Sequence, residues 1–274
     1  MRKLNNLSKA AMLCGLAVLA SCEENSLEDL LSEEDGKVAE SYVKTEAAFS
    51  NIYSIVDKSL RDSTFRATDS AIVNGAVVLR NANNVSINFA EGVLGADGRT
   101  REGMIGITET GEYMSGNAAL EIKLIDYKVD DNQINGGMGV SQNGQDFVLT
   151  VNQFSAGEGI EIGASKNIMW QEGFTTLSDV EDDIFNISGT TSGKMIENDR
   201  MLTSDITEAL QYDRSCEYKI VGGVINLNLE AIDSTEAFDA SLDFLGDDGC
   251  NNIVKVGISQ GGSDIELTQQ FNGF

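Results

Sequence analysis

The period of the hydrophobic pattern changes once along the chain, and this change restricts the folds that the chain can adopt. Between Val38 and Leu60, apolar residues recur three, four and seven positions apart, as on one face of an α-helix. After residue 70, apolar and polar residues alternate, as they do in half-buried β-strands. We therefore predict an N-terminal helix over residues 37–62 and an antiparallel β domain over residues 70–274.

The β domain is expected to be a meander of roughly 10–14 short strands, because turn signals follow one another closely and no second helix of about ten residues is indicated. Asn143-Gly144 is the clearest hairpin signal, since Asn-Gly suits a turn with two positive φ angles. Glycines inside strands allow bends and bulges. The fold class predicted is all-β, an antiparallel meander of short strands curled toward a barrel or sandwich. The clearest strand patterns are Ala76–Leu79, Val85–Phe89, Met104–Thr108, Leu120–Leu124 and Phe147–Val151.

The predicted helix has an apolar stripe made of Tyr42, Phe49, Ile52 and Tyr53. Such a stripe can pack on a sheet or lie on a membrane surface. Helices that lie on membranes prefer a basic polar face, whereas the polar face here is largely acidic. We therefore expect the helix to pack on the sheet.

Charge and composition exclude several classes of function. The chain has 44 Asp and Glu against 19 Lys and Arg, a net charge of -25, and 0 His. Catalysis and metal binding through histidine are excluded, and we predict no cofactor. Nucleic acid is not an expected partner, because binding to phosphates requires clustered Lys and Arg.

The first 22 residues have the features of a lipoprotein signal peptide. A basic start is followed by the apolar run Ala10–Ala20, which is shorter than the roughly 20 residues of a membrane span. Leu19-Ala20-Ser21-Cys22 resembles the bacterial lipobox, in which cleavage precedes a cysteine that then receives lipid. We predict that residues 1–21 are removed and that palmitate and related acyl chains at Cys22 anchor the protein to a membrane. The alternative is an ordinary signal peptide with an incidental cysteine.

An acidic segment follows, and residues 22–36 are predicted to form a flexible tether. An acidic tract directly after the lipid cysteine resembles the surface-export tether of Bacteroidota lipoproteins. The expected location is therefore the outer membrane, with the protein facing the cell exterior. A solvated linker without an export role is the alternative.

Two of the four cysteines remain after Cys14 is removed and Cys22 is lipidated. In an exported protein, Cys216 and Cys250 most simply form one disulfide, although two free thiols are the alternative. We expect the bridge to join neighbouring strands, Tyr218–Leu229 and Ile253–Ile258.

Four segments share spaced glycine, aromatic, acidic and cysteine positions. They are Ile87-x-Phe89 with Gly95-x-Asp97-Gly98-Arg99-Thr100-Arg101-x-Gly103-x-Ile105, Asp182-Asp183-x-Phe185-x-Ile187-x-Gly189, Cys216-x-Tyr218-x-Ile220-x-Gly222, and Phe244-x-Gly246-Asp247-x-Gly249-Cys250-Asn251-Asn252. Together these segments, spread over residues 40–268, resemble a family of uncharacterised all-β surface lipoproteins of Bacteroidota. The resemblance implies export, the Cys216–Cys250 bridge and no known activity. Asn251 departs from the family, which has Asp after the second cysteine.

Four features could carry chemistry, and each has a simpler structural interpretation. Arg99 and Arg101 could bind an anion, but pairing with Asp97, Glu102 or Glu109 is favoured. Trp170 could stack on a ligand, but a core position is favoured. The Asp-Gly turns at Asp97-Gly98 and Asp247-Asp248-Gly249 could bind calcium, but they are primarily turn signals, and we predict no metal site.

The sequence predicts a non-catalytic, membrane-anchored envelope lipoprotein, with a binding or structural role and no catalytic residues. Its partner is expected to be a protein, a glycan or an apolar ligand. The alternative is a carboxylate-based hydrolase, with or without a dependence on calcium, that acts on a polysaccharide.

Lipidation at Cys22 has a direct test. Mass spectrometry of the mature protein is expected to find an N-terminal Cys22 carrying acyl chains, and labelled palmitate should enter the protein. Cys22→Ala should abolish both signals, while Cys14→Ala should leave them unchanged, because Cys14 lies in the part that is removed. An unmodified N-terminus would contradict the predicted anchor and location.

Overall fold

The computed structural model describes residues 33–95, 97–157, 159–216, 220–231, 237–245, 250, 253–260 and 263–270. The chain divides into two units, Met1–Lys37 and Val38–Phe274. The described residues of the first unit, 33–37, are helical. The second unit contains the rest of that helix, a short helix and the sheet. The predicted signal peptide, Cys22 and most of the predicted tether lie outside the described residues.

Helix α1 runs over Glu33–Arg61, and a short helix α2 follows over Ser63–Thr68. Asp62 separates the two helices and caps α2, because its side chain accepts a hydrogen bond from the backbone N–H of Phe65 at 2.8 Å. The helix was predicted to begin at residue 37, but it begins four residues earlier. The end of the predicted tether is therefore helical.

The remaining described elements are fourteen strands in one sheet. Each strand pairs antiparallel with the next along the chain, from the first to the last. Within the described residues, β1 and β14 are the two edges of the sheet. The predicted antiparallel all-β meander is thus confirmed. The strands are β1 Ser70–Val73, β2 Ala76–Asn81, β3 Asn84–Leu94, β4 Thr100–Thr110, β5 Ala119–Val129, β6 Asn132–Asn143, β7 Asp146–Ala156, β8 Ile160–Glu172, β9 Ile184–Met195, β10 Met201–Asp213, β11 Ile220–Leu229, β12 Phe238–Phe244, β13 Ile253–Gln260 and β14 Ser263–Gln270.

Glycines inside the strands allow the sheet to bend. At Gly136 the backbone has φ +113, and an added Cβ would lie 2.7 Å from the Cα of Phe154 on the neighbouring strand. At Gly189 the φ is +134, and an added Cβ would lie 2.1 Å from the carbonyl oxygen of Ser165. The register shifts between Asn135 and Gly137, so Gly136 is a bulge. Glycines and the bulge at Gly136 are therefore local causes of the curl of the sheet.

The predicted hairpin at Asn143-Gly144 is present, but its turn is displaced by one residue. Asn143 pairs with Asp146, so the two loop residues are Gly144 and Gln145. Gly144 has φ +66, while Asn143 has no positive φ. A glycine at the first loop position is typical of a type II′ turn.

The curled sheet packs around α1 through its buried face. Tyr42, Phe49 and Ile52 are each at most 2% exposed, which confirms that the apolar stripe packs on the sheet. Phe49 meets the edge of Phe154 on β7 with 6.0 Å between ring centroids. Tyr42 contacts Ser204 on β10, so the helix is held by strands that lie far apart in the sheet.

The predicted Cys216–Cys250 disulfide is present, with 5.0 Å between the two Cα atoms. The expectation that it joins neighbouring strands was wrong. Cys216 precedes β11 and Cys250 precedes β13, and β12 lies between these strands and pairs with both. The bridge therefore joins the connection between β10 and β11 to the connection between β12 and β13.

Removing the bridge should lower stability without changing the fold. The two cysteines are 34 residues apart, and closing such a loop restricts the unfolded chain by about 3–4 kcal/mol in the chain-entropy model. We expect Cys216→Ser with Cys250→Ser to lower the free energy of unfolding by about that amount in urea titrations. The reduced wild-type protein is the control and should match the variant. An unchanged urea midpoint would contradict a stabilising bridge.

Candidate functional site

Four charged side chains lie together in the interior at the C-terminal end of α1. We call Asp57, Arg61, Asp183 and Arg214 the buried ionic cluster. Arg61 pairs with Asp183 and, at 3.3 Å from Nη1 to Oδ2, with Asp57. Arg214 pairs with the same Asp57 oxygen at 2.7 Å. All four side chains are at most 8% exposed, and their two positive and two negative charges balance.

Hydrogen bonds around the cluster join the helix to the segment between β8 and β9. Arg61 donates from Nε to the carbonyl oxygen of Leu177 at 2.8 Å and from Nη2 to that of Asp179 at 3.1 Å. Burial raises the pKa of the Asp183 carboxyl, and the hydrogen bond from Arg61 opposes that shift. These contacts indicate a structural role for the cluster, because its charges are used to hold the helix in place.

The Tyr113 hydroxyl is a further hydrogen-bond partner of Asp57. It donates to the Oδ1 oxygen of Asp57 at 2.8 Å. Burial raises the pKa of Tyr113 well above its usual value, and the nearby negative charge of Asp57 adds to the shift. Tyr113 therefore stays protonated and acts as a hydrogen-bond donor.

A second buried polar group lies near the middle of α1, around Glu46. The carboxylate of Glu46 accepts hydrogen bonds from Lys166 at 3.3 Å, from Tyr42 at 3.0 Å and from the hydroxyl of Thr191. The Tyr42 hydroxyl also lies 2.6 Å from the Oγ atom of Ser204. These contacts tie α1 to β8, β9 and β10, and the three hydrogen bonds to Glu46 all converge on its Oε1 oxygen.

An apolar cavity of about 100 Å³ lies between α1 and the buried face of the sheet. Its lining includes Phe49, Ile168, Ile206 and Leu242. Pockets for small-molecule ligands usually measure about 300–1,000 Å³. The cavity is too small for such a ligand as the chain is arranged here.

A larger concave site crosses β9 to β14 on the face of the sheet that is turned away from α1, and we call it the outer groove. Its volume is about 890 Å³. Thr191 and Ser204 are part of its floor, and their side chains point inward to α1. The residues on either side of them along each strand point outward and form two walls. One wall is made of Ser192, Thr203, Asn228, Asp239 and Ser259, and the other of Thr190, Asp205, Asn226, Ser241 and Glu266.

The strand register explains why the walls are continuous. Thr203 lies opposite Asn228, Asn228 opposite Asp239, and Asp239 opposite Ser259. Adjacent strands are about 4.8 Å apart, so six strands give the groove a length of about 24 Å. The walls are two residues apart along each strand, about 7 Å. The lining of the groove is therefore an elongated strip that crosses the strands.

The walls of the outer groove consist of hydroxyl, amide and carboxylate groups. Asn228 donates to Asp239 across the strands at 2.6 Å. Asp205, Asp239 and Glu266 are exposed, and no Lys or Arg is among the described residues that line the groove. The groove can therefore accept and donate many hydrogen bonds, and its charge is negative.

The structure brings some predicted site residues into contact and separates others. Arg101 pairs with Asp97 at 2.5 Å, which agrees with the structural interpretation of Arg101. The same contact engages the Asp97 carboxylate, which was a candidate ligand for calcium. Arg99 is exposed. Trp170 is 3% exposed among aromatic rings, with the Arg61 guanidinium 4.8 Å from its ring centroid, so it is a core residue. Cys22 and the turn Asp247-Asp248-Gly249 lie outside the described residues.

In the part of the chain that the structure describes, no group of three or more His, Cys, Asp or Glu side chains is placed to bind a metal ion. Among the described helices, none is long and apolar enough to cross a membrane.

In comparisons with protein-family models, with curated proteins and with solved structures, nothing matches this chain. The resemblance to Bacteroidota surface lipoproteins therefore stays a prediction from the sequence.

The sequence analysis missed the outer groove and the buried ionic cluster. The groove had a signal, since the Asn226-Leu227-Asn228 and Thr203-Ser204-Asp205 segments place polar residues on the outer face of their strands. The cluster had none, because Asp183 lies 122 residues from Arg61 and no local pattern connects them.

Breaking the buried ionic cluster should destabilise the protein strongly. Asp183→Asn leaves one carboxylate to balance Arg61 and Arg214, and an uncompensated buried charge costs about 3–5 kcal/mol. We expect urea titrations to show a loss of that size. Asp182→Asn is the matched control, because Asp182 is an exposed neighbour, and it should cost less than about 1 kcal/mol. Similar losses for the two variants would show that the cluster is not a stabilising contact.

Proposed function

We propose that this protein is a non-catalytic lipoprotein of the bacterial outer membrane, anchored through Cys22, that binds a polysaccharide in the outer groove. The observation that carries this proposal is the groove itself, a concave site of about 890 Å³ across six strands, with polar side chains along both walls. Its volume lies within the range of known ligand sites, whereas the apolar cavity under α1 does not reach it.

The chemistry of the walls suits a sugar polymer. Sugar hydroxyls both donate and accept hydrogen bonds, and the amides of Asn226 and Asn228 and the carboxylates of Asp205 and Asp239 offer complementary groups. The described lining has no aromatic side chain on which a sugar ring could stack. Affinity must then come from hydrogen bonds along several sugar units, so longer oligosaccharides are expected to bind more tightly than short ones.

The contacts of the groove carboxylates favour binding over hydrolysis. The Asn228 amide donates to Asp239, and Lys255 pairs with Glu266 at 2.8 Å. A catalytic acid or nucleophile must be available to the substrate, whereas two of these three carboxylates are held by protein partners. The alternative of a carboxylate-based hydrolase therefore has less support from this site.

The predicted anchor would keep the groove close to the membrane. Ten residues separate Cys22 from Glu33, where α1 begins, and an extended chain of ten residues spans at most about 35 Å. The net charge of -25 repels anionic lipid and would hold the domain off the lipid surface. A protein placed in this way can meet soluble or cell-attached polysaccharides.

The proposal predicts that the groove amides are needed for binding. On an array of oligosaccharides, the wild-type protein should bind at least one neutral glycan of several sugar units. Asn226→Ala with Asn228→Ala should weaken that binding about tenfold in calorimetry, because each lost hydrogen bond contributes about 0.5–1.5 kcal/mol.

Asn152→Ala with Asn167→Ala is the matched control, because both residues are exposed on strands outside the groove. This pair should leave binding unchanged. A lack of binding to any glycan would overturn the proposal. New reducing ends released from a bound glycan would favour the hydrolase instead.

A further inference from the structure

We infer that the outer groove selects polysaccharides that have no acidic groups, and that its carboxylates exclude uronate and sulfate polymers. This inference rests on the proposed function and names the class of ligand for the same site. It concerns three side chains in particular, Asp205, Asp239 and Glu266.

The three carboxylates are distributed along the whole groove. Asp205 is on β10, Asp239 on β12 and Glu266 on β14, and they occupy both walls. Glu266 pairs with Lys255 at 2.8 Å, but Lys255 is not part of the described lining. A chain of sugars in the groove therefore passes a negative group at every second strand, about every 10 Å.

Neutral and acidic sugars meet these carboxylates differently. A sugar hydroxyl can donate a hydrogen bond to a carboxylate, and hydrogen bonds to charged groups are stronger than those between neutral groups. A uronate or sulfate group cannot donate, and it is repelled by the carboxylates within one Debye length, about 8 Å at physiological salt. No Lys or Arg is among the described lining residues, and Lys255, which lies outside the lining, compensates Glu266 alone.

The rest of the molecule strengthens the same preference. The chain has a net charge of -25, so its long-range field also opposes the approach of a polyanion. Such discrimination should be greatest at low ionic strength and should decrease as salt screens the charges.

The test compares neutral oligosaccharides with their uronate counterparts of equal length: glucan with glucuronan, mannan with mannuronan, and galactan with galacturonan. In each pair that binds, we expect the neutral member to bind about tenfold more tightly at low ionic strength, with a smaller difference in high salt. Equal binding of the two members, or tighter binding of the uronate, would overturn this inference and leave the proposed function standing. No binding to any neutral or acidic member would overturn the proposed function and the inference together.

A charge-neutral variant tests the cause of the selectivity. Asp205→Asn with Asp239→Asn and Glu266→Gln keeps the shape of the groove and removes its charge. We expect uronate binding to rise about tenfold, while neutral binding stays within about threefold of the wild type. The matched control is Glu121→Gln with Asp146→Asn and Glu172→Gln, three exposed carboxylates on strands outside the groove.

The control should leave the ratio of neutral to uronate binding near the wild-type value. An equal gain of uronate binding in both triple variants would mean that net charge, rather than the groove, sets the preference, and it would overturn the assignment of selectivity to these three residues. An unchanged ratio in the groove variant would overturn it as well.

Discussion

The packing of α1 against the buried face of the sheet is the contact on which the rest of this structure depends. A sheet of fourteen strands has one broad apolar face, and apolar surface must be covered to leave water. The helix covers it with Tyr42, Phe49 and Ile52, and the buried ionic cluster fixes its C-terminal end. The buried ionic cluster also fixes where α1 lies along the sheet, because its ion pairs and hydrogen bonds require defined positions of both partners.

The same strands serve both stability and the proposed binding, because side chains alternate between the two faces of a sheet. On β10, Ser204 faces α1 while Thr203 and Asp205 face the outer groove. On β11, Leu227 is buried between Asn226 and Asn228. Changes to the groove walls can therefore alter the outer surface of the sheet with little cost to the core.

Much of the fold could be predicted from the sequence, because helices, strands and turns are indicated by residues that lie close together along the chain. The period of the apolar residues gave the helix and the strands, and Gly144 marked a hairpin. The pairing of Cys216 with Cys250 followed from counting cysteines, but the position of β12 between their strands did not, since it depends on how strands are ordered in space. The start of α1 at Glu33 does not follow from the sequence pattern, because an acidic segment without apolar periodicity predicts a flexible linker.

The candidate site was harder to predict than the fold. The outer groove depends on which residues of six strands lie opposite one another, and register is set by tertiary packing and bulges rather than by local sequence. Asp183 and Arg214 could not be connected with Arg61 from spacing alone, because more than a hundred residues separate each of them from the helix.

The position of α1 at the start of the domain has a consequence for how the protein folds. Tyr42 lies 162 residues before Ser204, its partner on β10, and Glu46 lies 145 residues before Thr191. During synthesis, the apolar face of α1 is therefore complete long before the strands that cover it exist. Contacts between such distant residues make folding slow, and an uncovered apolar helix is prone to aggregate while it waits. Folding efficiency should accordingly be limited by the arrival of β8 to β10, so that truncation within these strands exposes the helix and yields an aggregating chain rather than a smaller folded domain.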